Sequence, residues 1–230
     1  KILTFVLSSF SGGYFMKEVL CINKGFIISL DYIFNNKNIN SYVLNKFILS
    51  LDIFVDRVAA IKVSSCDLIL DIKHSTNFPI VGCIDRIYPN SLVSITPTLN
   101  EVHELVKAGV EIIYLDASNK IRPNNQSVYE FFYDVKSSFP EVKFIAEVYN
   151  QDDIENILPL NFDGISINSD CNLINSEFLR FVDVPIMYNY TLNKLVDMDY
   201  FFEIGFDNTI VSSKFCTPQY KVSEFIENIF

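Results

Sequence analysis

Apolar positions along the chain gather into short dense runs, separated by longer stretches where they recur every three or four residues. The first four runs are Phe26–Leu30 (FIISL), Val58–Lys62 (VAAIK), Pro79–Ile84 (PIVGCI) and Glu111–Leu115 (EIIYL). The other four are Val142–Glu147 (VKFIAE), Phe162–Ile167 (FDGISI), Val184–Tyr188 (VPIMY) and Thr209–Ser212 (TIVS). Their brevity, β-branched content and continuous apolarity predict strands buried on both faces.

The stretches between them predict helices. Leu99–Ala108 puts Val102, Leu105 and Val106 on one face. Thr98 with Glu101 forms a capping-box spacing before it, and Gly109 ends it. Ser127–Ser138 spaces Val128, Phe131, Phe132 and Val135 by three and four, with Pro140 beyond its end. Leu192–Ile204 and Val222–Ile229 carry similar patterns, and the segments before the second and third strands are longer and less regular. Eight strands, each followed by a helix, predict a single (β/α)8 TIM barrel, an α/β fold usually of about 250 residues. The competitor is a doubly wound open sheet, but no glycine-rich fingerprint follows the first strand.

Residues 1–15 are expected to be an N-terminal extension that the fold does not need, and residues 16–230 the barrel domain. Met16 opens MKEVLCINKG, which reads as a start with a short N-terminal helix. Lys1–Phe10 resembles a signal peptide in having one charge before an apolar run, but it is short and has no clear cleavage site.

Composition narrows the function. With 18 Lys+Arg against 28 Asp+Glu, the net charge is -10. That argues against nucleic-acid or anionic-membrane partners, which need a basic face. The five cysteines are scattered without a CxxC pair, and there are only two histidines, so neither a disulfide framework nor a zinc site is expected. A reducing, cytoplasmic location with buried free thiols is the simple reading.

In a barrel, chemistry sits at the C-terminal strand ends. That directs attention to Asp31, Lys62, Asp85, Arg86, Asp116, Glu147, Asn168, Asn189, Ser212 and Ser213. Asp116 is either a site residue, because an unpaired charge inside a barrel is costly, or a helix cap or partner of Arg86. Asp85 is either a base with a raised pKa or a partner of Arg86 or Lys62. Lys62 and Arg86 either hold an anion or balance Asp85 and Asp116. Glu147 touches a sugar, orients a neighbour or sits in an ion pair. His74, within a loop-proximal stretch, and His103, on a helix, are expected to face solvent.

The central third carries a specific match. Pro79–Thr98 reads PIVGCIDRIYPNSLVSITPT and continues as LNEVHELVKAGVEIIYLDASNKIRP. This resembles the N-acetylmannosamine-6-phosphate 2-epimerase family, which shows P-V-I-G-I-I-K-R-D-Y-P, then I-T-P-T, A-G-A-D-I-I-A-L-D-A-T and R-P. KGFIIS, AIKVS and GFDNTIVSSKFCTP give weaker matches to its first, second and eighth strands. The resemblance implies a barrel isomerase, without cofactor or metal, that interconverts N-acetylmannosamine 6-phosphate and N-acetylglucosamine 6-phosphate in amino-sugar and sialic-acid catabolism. A homodimer is common for such barrels.

The resemblance also implies site roles, and the chain departs from the family at several of them. The catalytic lysine falls on Asp85, with its neighbouring arginine kept as Arg86. The catalytic glutamate falls on Asn189, an amide that hydrogen-bonds a hydroxyl or acetamido group but takes no proton. The first-strand glutamine becomes Asp31 and the second-strand arginine becomes Lys62. Asp116 is retained. Ser212 and Ser213, with Lys214 nearby, stand where the family grips phosphate. The implied alternatives are a catalytically inactive homologue that binds a ligand or partner, and a barrel isomerase for another sugar phosphate.

Overall fold

The structure is a computed structural model and describes residues 20, 22–31, 41–168, 182–190 and 199–212. Eight parallel strands close on themselves in chain order. They are β1 (Gly25–Ser29), β2 (Val58–Val63), β3 (Ile80–Gly82), β4 (Ile112–Asp116), β5 (Lys143–Val148), β6 (Gly164–Asn168), β7 (Ile186–Tyr190) and β8 (Asn208–Ser212). The described helices are α1 (Ser41–Leu51), α2 (Cys66–Ile72), α3 (Leu99–Lys107), α4 (Val128–Ser138), α5 (Gln151–Ile157) and α6 (Asp199–Glu203). This is the (β/α)8 barrel that the alternation predicts, with every expected strand present.

Period two decides what each strand does. Ile27, Ala60, Val81, Ile112, Tyr114, Ile145, Met187 and Ile210 form one buried cluster inside the barrel, joined by Leu20 and Cys83. The alternate residues, such as Phe26, Ile61, Ile113, Phe144 and Val211, pack outward against Leu105, Phe131, Val135 and other helix residues. A side chain at Gly164 would press on the Met187 Cε at 3.2 Å and the Leu20 Cδ2 at 3.3 Å. Its absence lets Leu20 pack inside the barrel near the N-terminal end of β6.

β3 is shorter than the run Pro79–Ile84 suggests. Its neighbours stop bonding to it as a ladder: the Ile84 amide donates to Thr96 Oγ1 at 3.2 Å, and Asp85 pairs antiparallel with Ile95. The chain beyond Gly82 therefore folds back on itself at the barrel mouth while remaining extended.

α3 begins as its sequence predicts. The Thr98 amide donates to Glu101 Oε2 at 2.9 Å, and the Thr98 side chain accepts from the Asn100 amide at 3.2 Å. Gly109, at φ +84°, follows the end of the helix in the conformation that disfavours other residues. α4 starts with the same device, from Ser127 and Glu130.

Of the expected helix 192–204, the described part is Asp199–Glu203; Val222–Ile229 lies outside the described residues. The expected short N-terminal helix falls mostly outside them too, and Leu20, Ile22 and Asn23 are not helical. The boundary at residue 15 also lies outside. Thr98→Ala is expected to lower the unfolding free energy by about 1 kcal/mol in urea titration, the usual value of an N-cap.

Candidate active site at the barrel mouth

The inward series of each strand ends in a polar residue. Ile27 leads to Ser29 and Asp31, Ala60 to Lys62, Val81 to Cys83 and Asp85, and Tyr114 to Asp116. Ile145 leads to Glu147, Ser166 to Asn168, Met187 to Asn189, and Ile210 to Ser212. The interior is apolar at depth and polar at the C-terminal ends, so a site is built there by alternation alone.

On the β1–β3 side, Lys62 is 7% exposed. Its Nζ lies 2.7 Å from Asp31 Oδ2, which also accepts from Ser29 Oγ at 2.8 Å. The ammonium stands 5.0 Å above the Tyr114 ring centroid. Burial works against its charge, but the Cys83 sulfur, Asp31 and Glu147 outweigh it, so the pKa is raised and the group stays protonated. Burial likewise opposes the Asp31 charge, and Lys62 with the hydroxyls of Ser64 and Ser29 holds its pKa below the usual value. Burial pushes the Cys83 thiol up to about 12, so at neutral pH it is a protonated, inert group.

Asp85 differs from these. Among the described residues its carboxylate has no hydrogen bond or ion pair. Desolvation at the mouth raises its pKa; Lys62 opposes the rise, and Asp31 and Glu147 add to it.

On the β4–β7 side the carboxylates are tied. Asp116 Oδ1 accepts from the Ser118 amide at 2.8 Å and the Ser118 hydroxyl at 2.6 Å. Lys120 Nζ lies 3.9 Å from Asp116 Oδ2 and 3.4 Å from the Tyr149 ring centroid. Arg122, buried and 4.6 Å from the Phe131 ring centroid, donates to the Asp116 carbonyl. Burial lowers its pKa to about 10, against the pull of Asp116.

Glu147 is fully engaged. Its Oε1 accepts from Asn168 Nδ2 and Asn189 Nδ2, each at 3.0 Å, and its Oε2 accepts from Tyr149 Oη at 3.0 Å. Strand register explains the meeting, since Asp116 pairs with Glu147 and Asn168 with Asn189. Beneath them the buried Tyr114 Oη donates to Ser166 Oγ at 2.9 Å and accepts from Asn189 Nδ2 at 3.3 Å. Burial, then the charges of Glu147 and Asp116, hold the Tyr149 pKa high.

Asp31, Lys62, Asp85, Asp116, Glu147, Asn189 and Ser212 thus share inward positions at one end of the barrel. Ser212 ends β8 opposite Ser29, and Ser213 lies outside the described residues. Arg86 is the exception. It follows Asp85 in an extended segment, so period two turns it the other way. Its guanidinium meets Glu101 at 2.6 Å and Glu104 at 2.8 Å on α3. The sequence expectation is that Arg86 holds an anion or balances Asp85 or Asp116; the structure pairs it instead with two helix carboxylates.

The sequence reading passed over Tyr114, Tyr149 and Lys120. Tyr114 was findable, because Ile112 and Asp116 share its parity on β4. Tyr149 and Lys120 sit in loops and carry no such signal. His74 and His103 are both exposed, as expected. No group of three or more His, Cys, Asp or Glu side chains among the described residues is placed to hold a metal ion. No described helix is long and apolar enough to cross a membrane.

A closed parallel barrel with carboxylates, a buried ammonium and amides at its C-terminal mouth defines a (β/α)8 protein with an enzyme-type site. Residues 54–229 match the sequence model of a family described as "Putative N-acetylmannosamine-6-phosphate epimerase". The chain belongs to this family, whose members are named as epimerases, isomerases of a sugar phosphate.

Proteins named "Putative N-acetylmannosamine-6-phosphate 2-epimerase" match across most of their length. The one from Borreliella afzelii is 27% identical over 223 residues, 90% of this chain and 95% of the relative. The one from Clostridioides difficile is 28% identical over 181 residues, 74% of this chain and 80% of the relative. The solved N-acetylmannosamine-6-phosphate 2-epimerase of Clostridium perfringens superposes with a TM-score of 0.73 at 22% identity, covering 96% of this chain and 100% of that one. That likeness shows the same fold.

A carboxyl whose pKa is raised by folding stabilises the fold only while protonated. That contribution is complete below the unfolded value of 3.8 and is lost as pH rises through the higher folded value. Asp85 is exposed, so solvent screens the effect; Asp85→Asn is therefore expected to be only slightly more stable than the parent as pH rises, with the gap closing below pH 3.8 in paired thermal melts.

Proposed function

We propose that the chain is an N-acylglucosamine-6-phosphate 2-epimerase, converting N-acetylmannosamine 6-phosphate to N-acetylglucosamine 6-phosphate in cytoplasmic amino-sugar and sialic-acid catabolism. The reading is carried by one observation: an untied carboxylate, Asp85, shares the mouth with a buried, permanently charged ammonium, Lys62.

The reaction needs a base at C2 and positive charge at the developing enolate. In the open-chain sugar the C2 proton is alpha to the C1 aldehyde. Asp85 takes that proton. The C–H electron pair moves into the C1–C2 bond, and the carbonyl oxygen becomes an enolate facing the Lys62 ammonium. A raised pKa suits Asp85 to this task, because it makes a stronger base than a solvated aspartate.

The other carboxylates are each occupied by hydrogen-bond donors or an ion pair, so the same group returns the proton. It does so to the opposite face, once the planar enolate has turned about its C2–C3 bond. Asp31 fixes Lys62, and Asp116 and Glu147 face the sugar hydroxyls. The hydroxyls and amides of Ser212 and Ser213 are assigned to the phosphate.

The test is proton NMR in D2O with purified protein and N-acetylmannosamine 6-phosphate. The expected outcome is deuterium at C2 accompanying N-acetylglucosamine 6-phosphate formation, slowed by about a hundredfold or more in Asp85→Asn. No exchange over hours, beside a working epimerase as control, would refute the activity and leave a ligand-binding homologue.

A further inference from the structure

Asn189 stands where the family resemblance implies a glutamate, and the hydrogen bonds around it fix what it offers a ligand. Glu147 Oε1 is a carboxylate oxygen and only accepts, so the Asn189 atom 3.0 Å away is its amide nitrogen. The same nitrogen reaches Tyr114 Oη at 3.3 Å, and the Tyr114 hydroxyl hydrogen is directed to Ser166 Oγ at 2.9 Å. Both amide protons of Asn189 are therefore engaged below the mouth.

Its carbonyl oxygen, Oδ1, has no hydrogen-bond partner among the described residues, and the residue is partly exposed. Rotating the amide by half a turn would set that oxygen against the Glu147 carboxylate, which is repulsive. Asn189 is thus held as a one-way acceptor. Tyr114 contributes to the hold from beneath, where the family run A-D-I-I-A-L-D has alanine. With its ring fully buried, the phenol forms a rigid support rather than a mobile side chain.

From this arrangement we infer that Asn189 determines specificity. Its fixed Oδ1 accepts a hydrogen bond from a donor on the ligand, the N–H of a 2-acetamido group, and it has no proton left to give to the acetamido carbonyl. The inference rests on the amino-sugar reading above, and its chemistry is distinct from proton transfer, since an amide carries no base.

A neutral acceptor suits this mouth. An added carboxylate beside Glu147 would repel it, whereas an amide keeps an acceptor facing the ligand, gives one donor to the Glu147 charge and gives the other to the Tyr114 hydroxyl. Tyr114 is a positioning residue in this scheme, and Asn189 touches the ligand.

The experiment is calorimetric binding of N-acetylmannosamine 6-phosphate and of its N-methylated analogue, which keeps the carbonyl and loses the N–H. The parent protein is expected to favour the N–H ligand by about tenfold, the usual cost of leaving one buried partner unmet. In Asn189→Leu the two ligands are expected to bind alike, which separates the hydrogen bond from the bulk of the methyl group. Should Asn189→Leu fail to fold by circular dichroism, Tyr114→Phe takes its place. It keeps the ring and loosens the amide, and the preference is expected to fall by about threefold.

A preference that persists unchanged in the folded variant, or that is missing in the parent, overturns the inference. Deuterium exchange run on the same samples keeps the two readings apart. Preference without exchange leaves the inference standing and refutes the epimerase activity; exchange without preference does the reverse. Failure of N-acetylmannosamine 6-phosphate itself to bind overturns both.

Discussion

Closure of eight parallel strands into one ring imposes the constraint from which the site follows. In a ring every strand has one face inward, and with a two-residue repeat that face is fixed along its whole length. A single register therefore commits Ile27, Ser29 and Asp31 to the interior together, and likewise Tyr114 with Asp116, and Met187 with Asn189. The deep positions fill with apolar side chains because water cannot reach them. The polar ones are tolerated only near the open end. Chemistry is thus confined to one rim of the barrel by the same geometry that builds its core.

That confinement brings charges close together, and the mouth handles them by pairing. Lys62 would lose its proton if buried alone, yet Asp31 and the surrounding negative groups keep it charged. Glu147, 1% exposed, is surrounded by three donors. Asp116 is held by Ser118 and its own loop. Among the described residues Asp85 has no such support, and desolvation raises its proton affinity. A group that the fold leaves under strain in its charged form is one that a reaction can use, which is why perturbed carboxylates and catalysis so often coincide.

The contrast between Asp85 and Arg86 shows how narrow the difference between a site residue and a structural one is. They are adjacent in sequence, both charged, and both aligned with functional residues of the family. One backbone step reverses the direction of the side chain, so Asp85 faces the mouth and Arg86 binds Glu101 and Glu104 on α3. The buried Glu101 serves Arg86 and the α3 capping box at once, so the helix start and the loop that carries Asp85 are anchored by one carboxylate.

By itself the sequence determined the number and order of strands, the helix starts at Thr98 and Ser127, and the polar residues at each strand end. These are local matters of periodicity and capping, written in residues close together along the chain. It did not determine partnership. Asp85 is untied and Glu147 is not because Asn168, Asn189 and Tyr149 arrive from other strands and loops, at distances set by barrel register. The role of Tyr114 likewise depends on Ser166 and Asn189, dozens of residues away. Hydrogen bonds act over about 3 Å in space without regard to separation in sequence, so only the closed barrel could decide which carboxylate stays free and which way an amide faces.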